Sequence, residues 1–221
     1  MKIGLFGGTF NPIHFGHLRA ALEVQEGFGL AKVFLIPAAV PPHKAQAGVA
    51  AATDRLRMIE LAVETESALA ASDVESRREG PSYTIDTVRY FQAEQPAGTE
   101  IFLLMGWDAF LEIDTWKSFR TLLGLVPVIV ITRPDAAAPC GEPDGQALRD
   151  FIRSRVSPEC SLSRSPDSVS APGIQGVTLF PVTALDVSSH RIRDLVKSRR
   201  SVRFLVPESV RQYIKTKGLY S

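Results

Sequence analysis

A chain of 221 residues with 45% apolar content is long enough to bury a sizeable core, as one large α/β domain or two small ones. Its 25 Lys and Arg against 24 Asp and Glu leave a formal charge of +1, which excludes a general electrostatic footprint for nucleic acid or membrane, so any anion site must be local. Cys140 and Cys160 suit neither a disulfide framework nor a zinc motif; the longest apolar stretch, Leu122 to Ile131, is broken by Gly124 and Pro127 and is too short to span a bilayer, so the expectation is a cytoplasmic protein.

Lys2-Ile3-Gly4-Leu5-Phe6 predicts a buried strand, followed by the turn formers Gly7-Gly8 and Asn11-Pro12. From about His14, Leu18, Ala21, Leu22 and Gln25 recur on one helix face, so the segment reads as strand, loop, helix. Adjacent glycines let backbone N–H groups approach an anion, Thr9 adds a hydroxyl donor, and the helix start adds the positive end of its dipole. His14 and His17, in the first turn, share a face and can donate to the same phosphate. Zinc is the competing reading of this pair, but no His-Glu-x-x-His spacing, cysteine or carboxylate stands beside it, and no metal-ligating set is expected.

Lys32 to Pro37 predicts a second strand, and Pro41-Pro42-His43-Lys44 an extended loop ending in two basic groups. Thr53-Asp54 is expected to cap a helix whose buried face is Leu56, Ile59, Ala62 and Val63, with a weak strand over Ala68 to Val74. Ser82 or Thr84 is expected to cap a helix running to about Glu94. Glu100 to Gly106 is the clearest interior strand, and Gly106-Trp107-Asp108 falls at its carboxyl end, where open α/β sheets place ligands. Asp108 reads either as a cap or as a carboxylate for ribose hydroxyls or Mg2+. Trp116, between Thr115 and Lys117, can offer its face to a flat heteroaromatic ring. Val126 to Ile131 and Val177 to Pro181 predict two more strands. The region between them from Asp135 to Gly176 reads as a loop-rich insertion with one helical patch at Leu148, Phe151, Ile152 and Arg155. Ser188 or Ser189 is expected to cap a further helix, which carries Arg193.

The run Gly7 to His17 resembles the nucleotidyltransferase signature (T/S)-F-(D/N)-P-x-H-x-G-H, and neither a P-loop nor a G-x-G-x-x-G fingerprint occurs. Other segments resemble bacterial nicotinate-nucleotide adenylyltransferases. Pro41 to Lys44 is similar to their P-P-H-(K/R) loop, and Pro81 to Thr87 to P-S-Y-T-x-x-T. Asp108, Phe110, Thr115 and Trp116 match D-x-L-x-x-x-x-T-W, with phenylalanine at the leucine position. Val187 to Arg193 is similar to I-S-S-T-x-I-R, with His190 where threonine is common, and Arg203 to Tyr220 resembles the family's ending, a packed terminal helix. The resemblance covers nearly the whole chain outside 135–176. It implies catalysis by His14, His17 and Arg193, and ATP binding by Gly7, Gly8, Thr9, Phe10, Gly16, Gly106, Asp108, Ser188 and Ser189. It further implies acceptor binding by Lys44, Tyr83, Thr84, Ile85, Trp116 and Lys117, with N–H groups at a helix start facing the pyridine carboxylate.

The expected fold is a doubly wound, mostly parallel, Rossmann-like sheet with helices on both faces, one domain over 1–221 with the insertion at about 135–176. The implied activity is adenylyl transfer from ATP to nicotinate mononucleotide, giving deamido-NAD and pyrophosphate, with Mg2+ accompanying ATP. Expected partners are these two substrates, with no nucleic acid and no membrane; a homo-oligomer is compatible with the sequence. A sister adenylyltransferase or cytidylyltransferase, a non-catalytic nucleotide sensor and a metal-dependent hydrolase compete with this reading. The segments at Pro81 to Thr87 and Thr115-Trp116 argue against the first and the paired histidines against the second. Against the third, no water-activating cluster is legible.

Overall fold

The computed structural model describes residues 1–40, 48–132, 143–162 and 167–221. Its strands are β1 (Lys2–Gly8), β2 (Lys32–Pro37), β3 (Leu69–Ala71), β4 (Glu100–Gly106), β5 (Val128–Thr132), β6 (Ser161–Leu162), β7 (Ser168–Ser170) and β8 (Val177–Pro181). They form one sheet in the order β3-β2-β1-β4-β5-β8-β7-β6; every pairing from β3 across to β8 is parallel, and β7 pairs antiparallel with both β8 and β6. The helices are α1 (Phe15–Phe28), α2 (Ala52–Val63), α3 (Thr84–Glu94), α4 (Trp107–Phe110), α5 (Phe119–Leu125), α6 (Gly145–Arg155), α7 (Ser189–Lys197) and α8 (Glu208–Lys217).

Strand alternation splits the core in two. Phe6 of β1, Leu104 of β4 and Ile129 and Ile131 of β5 pack with α1, α2, α7 and α8. Their neighbours Leu5, Leu103, Met105, Val128 and Val130 pack on the opposite face with α3, α4, α5 and α6. Central strands buried on both faces must be apolar almost throughout, which is why β4 and β5 stand out in the sequence. The result is a doubly wound α/β sheet whose order reverses between β1 and β4.

Local expectations need three corrections. Thr53 and Asp54 do not cap α2: Ala51 holds the cap position without a side-chain bond, and Asp54 lies in the first turn. The buried stripe of α2 is Arg55, Met58, Ile59 and Val63, while Leu56 and Ala62 are half-buried; because the first residue of the stripe is charged, an apolar pattern alone starts it one residue late. Neither Ser82 nor Thr84 caps α3, because Tyr83 sits at the cap position and the Ser82 hydroxyl faces away. Within 135–176 the described residues include α6, capped by the Asp144 carboxylate on Ala147 N–H at 2.8 Å, and strands β6 and β7, which continue the sheet beyond β8.

Candidate functional site

β1 and β4 are neighbours, and both end in glycine at the point where the strand order reverses. A Cβ added at Gly7 or Gly106 would meet nothing within 4 Å, so both strand ends look onto open space. A cleft lies there. One wall is the loop Gly7-Gly8-Thr9, the floor includes Gly106 and Ala109, and the far wall is Ser82 to Ile85 with Trp116 and Lys117. A crevice outside strand carboxyl ends at a reversal of strand order is where this architecture binds nucleotides.

The loop is built tightly. Phe10 adopts φ 46° and turns its ring back beneath Gly8, where a Cβ would sit 2.9 Å from that ring. The ring is buried and stands edge-on to Phe6 at 5.7 Å and to His17 at 5.0 Å between centroids. Phe10 therefore packs under the loop, which leaves its amide as the group to offer a ligand. His14 and His17 stack at 3.7 Å with 25° between ring planes. Gly16 makes room for them: a Cβ there would meet Val187 at 3.0 Å and the His14 ring at 3.1 Å.

Distant side chains hold the loop from behind. Asn11, 4% exposed, donates to Gly48 O at 3.1 Å and accepts from Ala50 N–H at 3.0 Å and the Tyr220 hydroxyl at 2.8 Å. Burial pushes the Tyr220 phenol pKa up, which keeps it a donor. Arg193 donates to Asn11 O at 2.9 Å, and the Ser189 hydroxyl to Pro12 O at 2.8 Å. Arg55 is 1% exposed and reaches Thr9 O at 2.8 Å, Ala38 O at 2.7 Å and Ala50 O at 2.9 Å. Burial lowers its pKa from a value high enough that it remains a cation, so a fixed positive charge lies behind the loop.

The far wall is organised by the start of α3. Thr84 and Ile85 are its first two residues, whose N–H groups have no intrahelical partner by the geometry of any α-helix. The Lys117 ammonium lies 4.3 Å from the centre of the Tyr83 ring and 3.2 Å from the Asp86 carboxylate, so it straps the loop carrying Trp116 onto that helix start. Trp116 is half-buried and lines the cleft. Beneath this wall lies Glu75, 7% exposed, which accepts from Thr87 Oγ1 at 2.7 Å.

A family model described as cytidylyltransferase-like matches residues 5–195. The chain is 43% identical, over 100% of both proteins, to one from Desulfatibacillum aliphaticivorans named "Probable nicotinate-nucleotide adenylyltransferase". A protein of the same name from Pseudomonas fluorescens is 45% identical over 99% of this chain and 97% of its own length. The chain belongs to the nicotinate-nucleotide adenylyltransferases of the cytidylyltransferase-like family. Two solved structures of Plasmodium falciparum nicotinic acid mononucleotide adenylyltransferase, complexed with NaAD and with APC, share the fold at TM-scores of 0.73 and 0.71. They cover 99% of this chain and 97% and 96% of their own, at 16% identity, where the likeness is one of fold.

Within this adenylyltransferase fold the cleft gathers Gly7, Gly8, Thr9, Gly106, Tyr83, Thr84, Ile85, Trp116 and Lys117 from four separate segments. Asp108 is exposed in the first turn of α4, and since Gly106 holds that helix's cap position, Asp108 is not the cap. Ser188 caps α7, accepting from Arg191 N–H at 3.2 Å, so its hydroxyl oxygen is already engaged. Arg193 lines a second, polar cleft with His190, Lys197 and Tyr220, and His190 pairs there with Asp194 at 3.2 Å. Lys44 lies outside the described residues. Asn11, Arg55, Glu75 and Tyr220 were not among the residues expected at the site. Arg55 alone carried a legible signal, since it falls in register with Met58, Ile59 and Val63. Among the described residues no group of three or more His, Cys, Asp or Glu is placed to hold a metal ion, and no helix is long and apolar enough to cross a membrane.

Proposed function

We infer that this protein transfers the adenylyl group of ATP to nicotinate mononucleotide in the cytoplasm, releasing pyrophosphate and deamido-NAD. The observation that carries the reading is the cleft between the β1 glycine loop and the start of α3, because it sets a phosphate-binding wall opposite a wall suited to a flat anionic ring. The 5′-phosphate of the acceptor is already an anion, so it attacks the α-phosphorus in line without a general base and without a covalent intermediate. Catalysis then consists of alignment and charge neutralisation. His14 and His17 donate to the transferring phosphoryl group, the amides of Gly7 to Phe10 bind phosphate oxygens, and the N–H groups of Arg193 beyond its bond to Asn11 meet the triphosphate.

Mg2+ suits this donor set, because it prefers one or two carboxylates together with substrate phosphates and water; Asp108, exposed beside the end of β4, is the carboxylate at hand. Asp108 would hold the Mg2+ that accompanies ATP, and the ion would supply neutralisation of charge on the phosphates. On the far wall, N–H groups of Thr84 and Ile85 pair with the pyridine carboxylate, and Trp116 stacks on the ring. An amide acceptor would face those donors with its NH2, leaving one of them unsatisfied.

The test is incubation with ATP, Mg2+ and a panel of mononucleotides, with the dinucleotide identified by mass. Deamido-NAD is expected, with kcat/KM at least about 10²-fold above that for nicotinamide mononucleotide, since more than one charge-assisted bond is at stake. Equal efficiency with both acceptors would move the assignment to a dual-specificity enzyme; no pyrophosphate release with any acceptor would overturn it.

A further inference from the structure

Glu75 has no part in the chemistry above, yet it lies at the base of the acceptor wall. It is 7% exposed and borders the same cleft as Ser82 to Ile85. Its Oε1 accepts from Thr87 Oγ1 at 2.7 Å, in the first turn of α3, and the Ser82 hydroxyl lies near enough to help hold its pKa down. Ser82 Oγ accepts Ala39 N–H at 2.9 Å and Val40 N–H at 3.2 Å, which leaves its own proton for Glu75. Arg78 completes the set, donating to Thr87 Oγ1 at 3.1 Å. One carboxyl thus joins three stretches of chain: the exit of β2, the Ser82-Tyr83 approach, and the start of α3.

We propose that Glu75 is a positioning residue that sets acceptor specificity, holding the first-turn N–H groups of α3 in place through Ser82 and Thr87 without touching the substrate itself. The inference rests on the acceptor reading of the far wall. Two observations favour action through the hydroxyls over direct contact. A carboxylate facing an acceptor that carries both a phosphate and a ring carboxylate would repel it, and Glu75 Oε1 is already engaged by Thr87. Burial also pushes its pKa up, against the Thr87 and Ser82 hydroxyls and the Arg78 and Arg55 charges that lower it. Misplacing a helix start by even a fraction of an ångström blunts a donor pair whose value lies in geometry.

The experiment compares steady-state kinetics of wild type, Glu75→Gln and Glu75→Ala with ATP and with both pyridine mononucleotides. Wild-type turnover of nicotinate mononucleotide is the control on the acceptor reading; if it is absent, that reading fails independently of Glu75. Given turnover, Glu75→Ala should raise the KM for nicotinate mononucleotide about 10-fold, leave the KM for ATP within about twofold, and reduce the preference for acid over amide. Glu75→Gln, which keeps an acceptor for Thr87, should fall between the two. A merely structural role would lower the melting temperature without splitting the two KM values. Three results would overturn the proposal: an unchanged acceptor KM, parallel rises for both substrates, or a Gln variant that binds the acid more tightly than wild type, which would mean that charge matters and position does not. Should Glu75→Ala not fold, Thr87→Val removes one of the hydroxyls in nearly the same volume. It is expected to raise the acceptor KM severalfold with ATP unaffected, and no change there would overturn the proposal equally.

Discussion

The two walls of the cleft are held in different ways. Residues 9–12 on the phosphate side take hydrogen bonds from the side chains of Arg55, Ser189, Arg193 and Tyr220, which come from three distant parts of the chain, and Asn11 is nearly inaccessible. The acceptor side rests on the Glu75 carboxyl below and, at its rim, on the half-exposed Lys117 against Tyr83 and Asp86. Donors to a transition state gain most from being fixed beforehand, because any reorganisation at the moment of reaction is subtracted from the rate. A wall that chooses among acceptors needs correct donors, and it tolerates a rim that yields as the ring enters.

If this contrast is real, substitutions on the phosphate side should strike chemistry and stability, and those at the rim should strike acceptor affinity alone. The largest effect is expected for His17→Ala, which should lower kcat by about 10² to 10⁴ while ATP binding, measured by calorimetry, changes much less. Near-normal turnover would break the comparison at its centre. Arg55→Ala should follow, destabilising the fold by about 3 to 5 kcal/mol in urea unfolding, because three backbone carbonyls lose a charged donor together. Arg55→Lys, with a single ammonium in place of the fork, should recover only part of that loss.

A smaller and more selective effect is expected at Gly106. Its φ of −72° suits any residue and its Cβ position is open, so Gly106→Ala should leave unfolding within about 1 kcal/mol of wild type, on the stabilising side. The added methyl projects into the cleft and should raise substrate KM by about tenfold. A stable variant with unaltered KM would place the substrates elsewhere. The smallest effect belongs to Lys117→Met: less than about 1 kcal/mol of stability, as for other exposed ion pairs and cation–π contacts, with the acceptor KM rising severalfold and that for ATP unchanged. A loss of ATP affinity in this variant would show that the two walls are not independent.

The amino-acid sequence by itself determined strands β1, β2, β4, β5 and β8, the glycine loop and the histidine pair. These features follow from spacing over a few residues: apolar runs bounded by glycine and proline make strands β1, β2, β4 and β8, and a three-residue interval from the cap position of α1 into its first turn is enough to bring His14 and His17 ring to ring. The helix start at Tyr83-Thr84 was legible for the same reason, though the expected serine or threonine cap was not, because the Ser82 hydroxyl turns instead to backbone 42 and 43 residues away. Only the tertiary structure decided which groups stand behind the loop. Asn11 reads as a turn residue in sequence, and its partners lie 37 residues off at Gly48 and 209 off at Tyr220, brought together by the order of strands and the return of the last helix. A guanidinium is normally left in water; what buries Arg55 is a set of carbonyls just past β1, just past β2 and before α2 that converge only after the sheet has assembled. Local periodicity encodes which side chains share a face. Satisfying a buried polar group requires partners that no local pattern names.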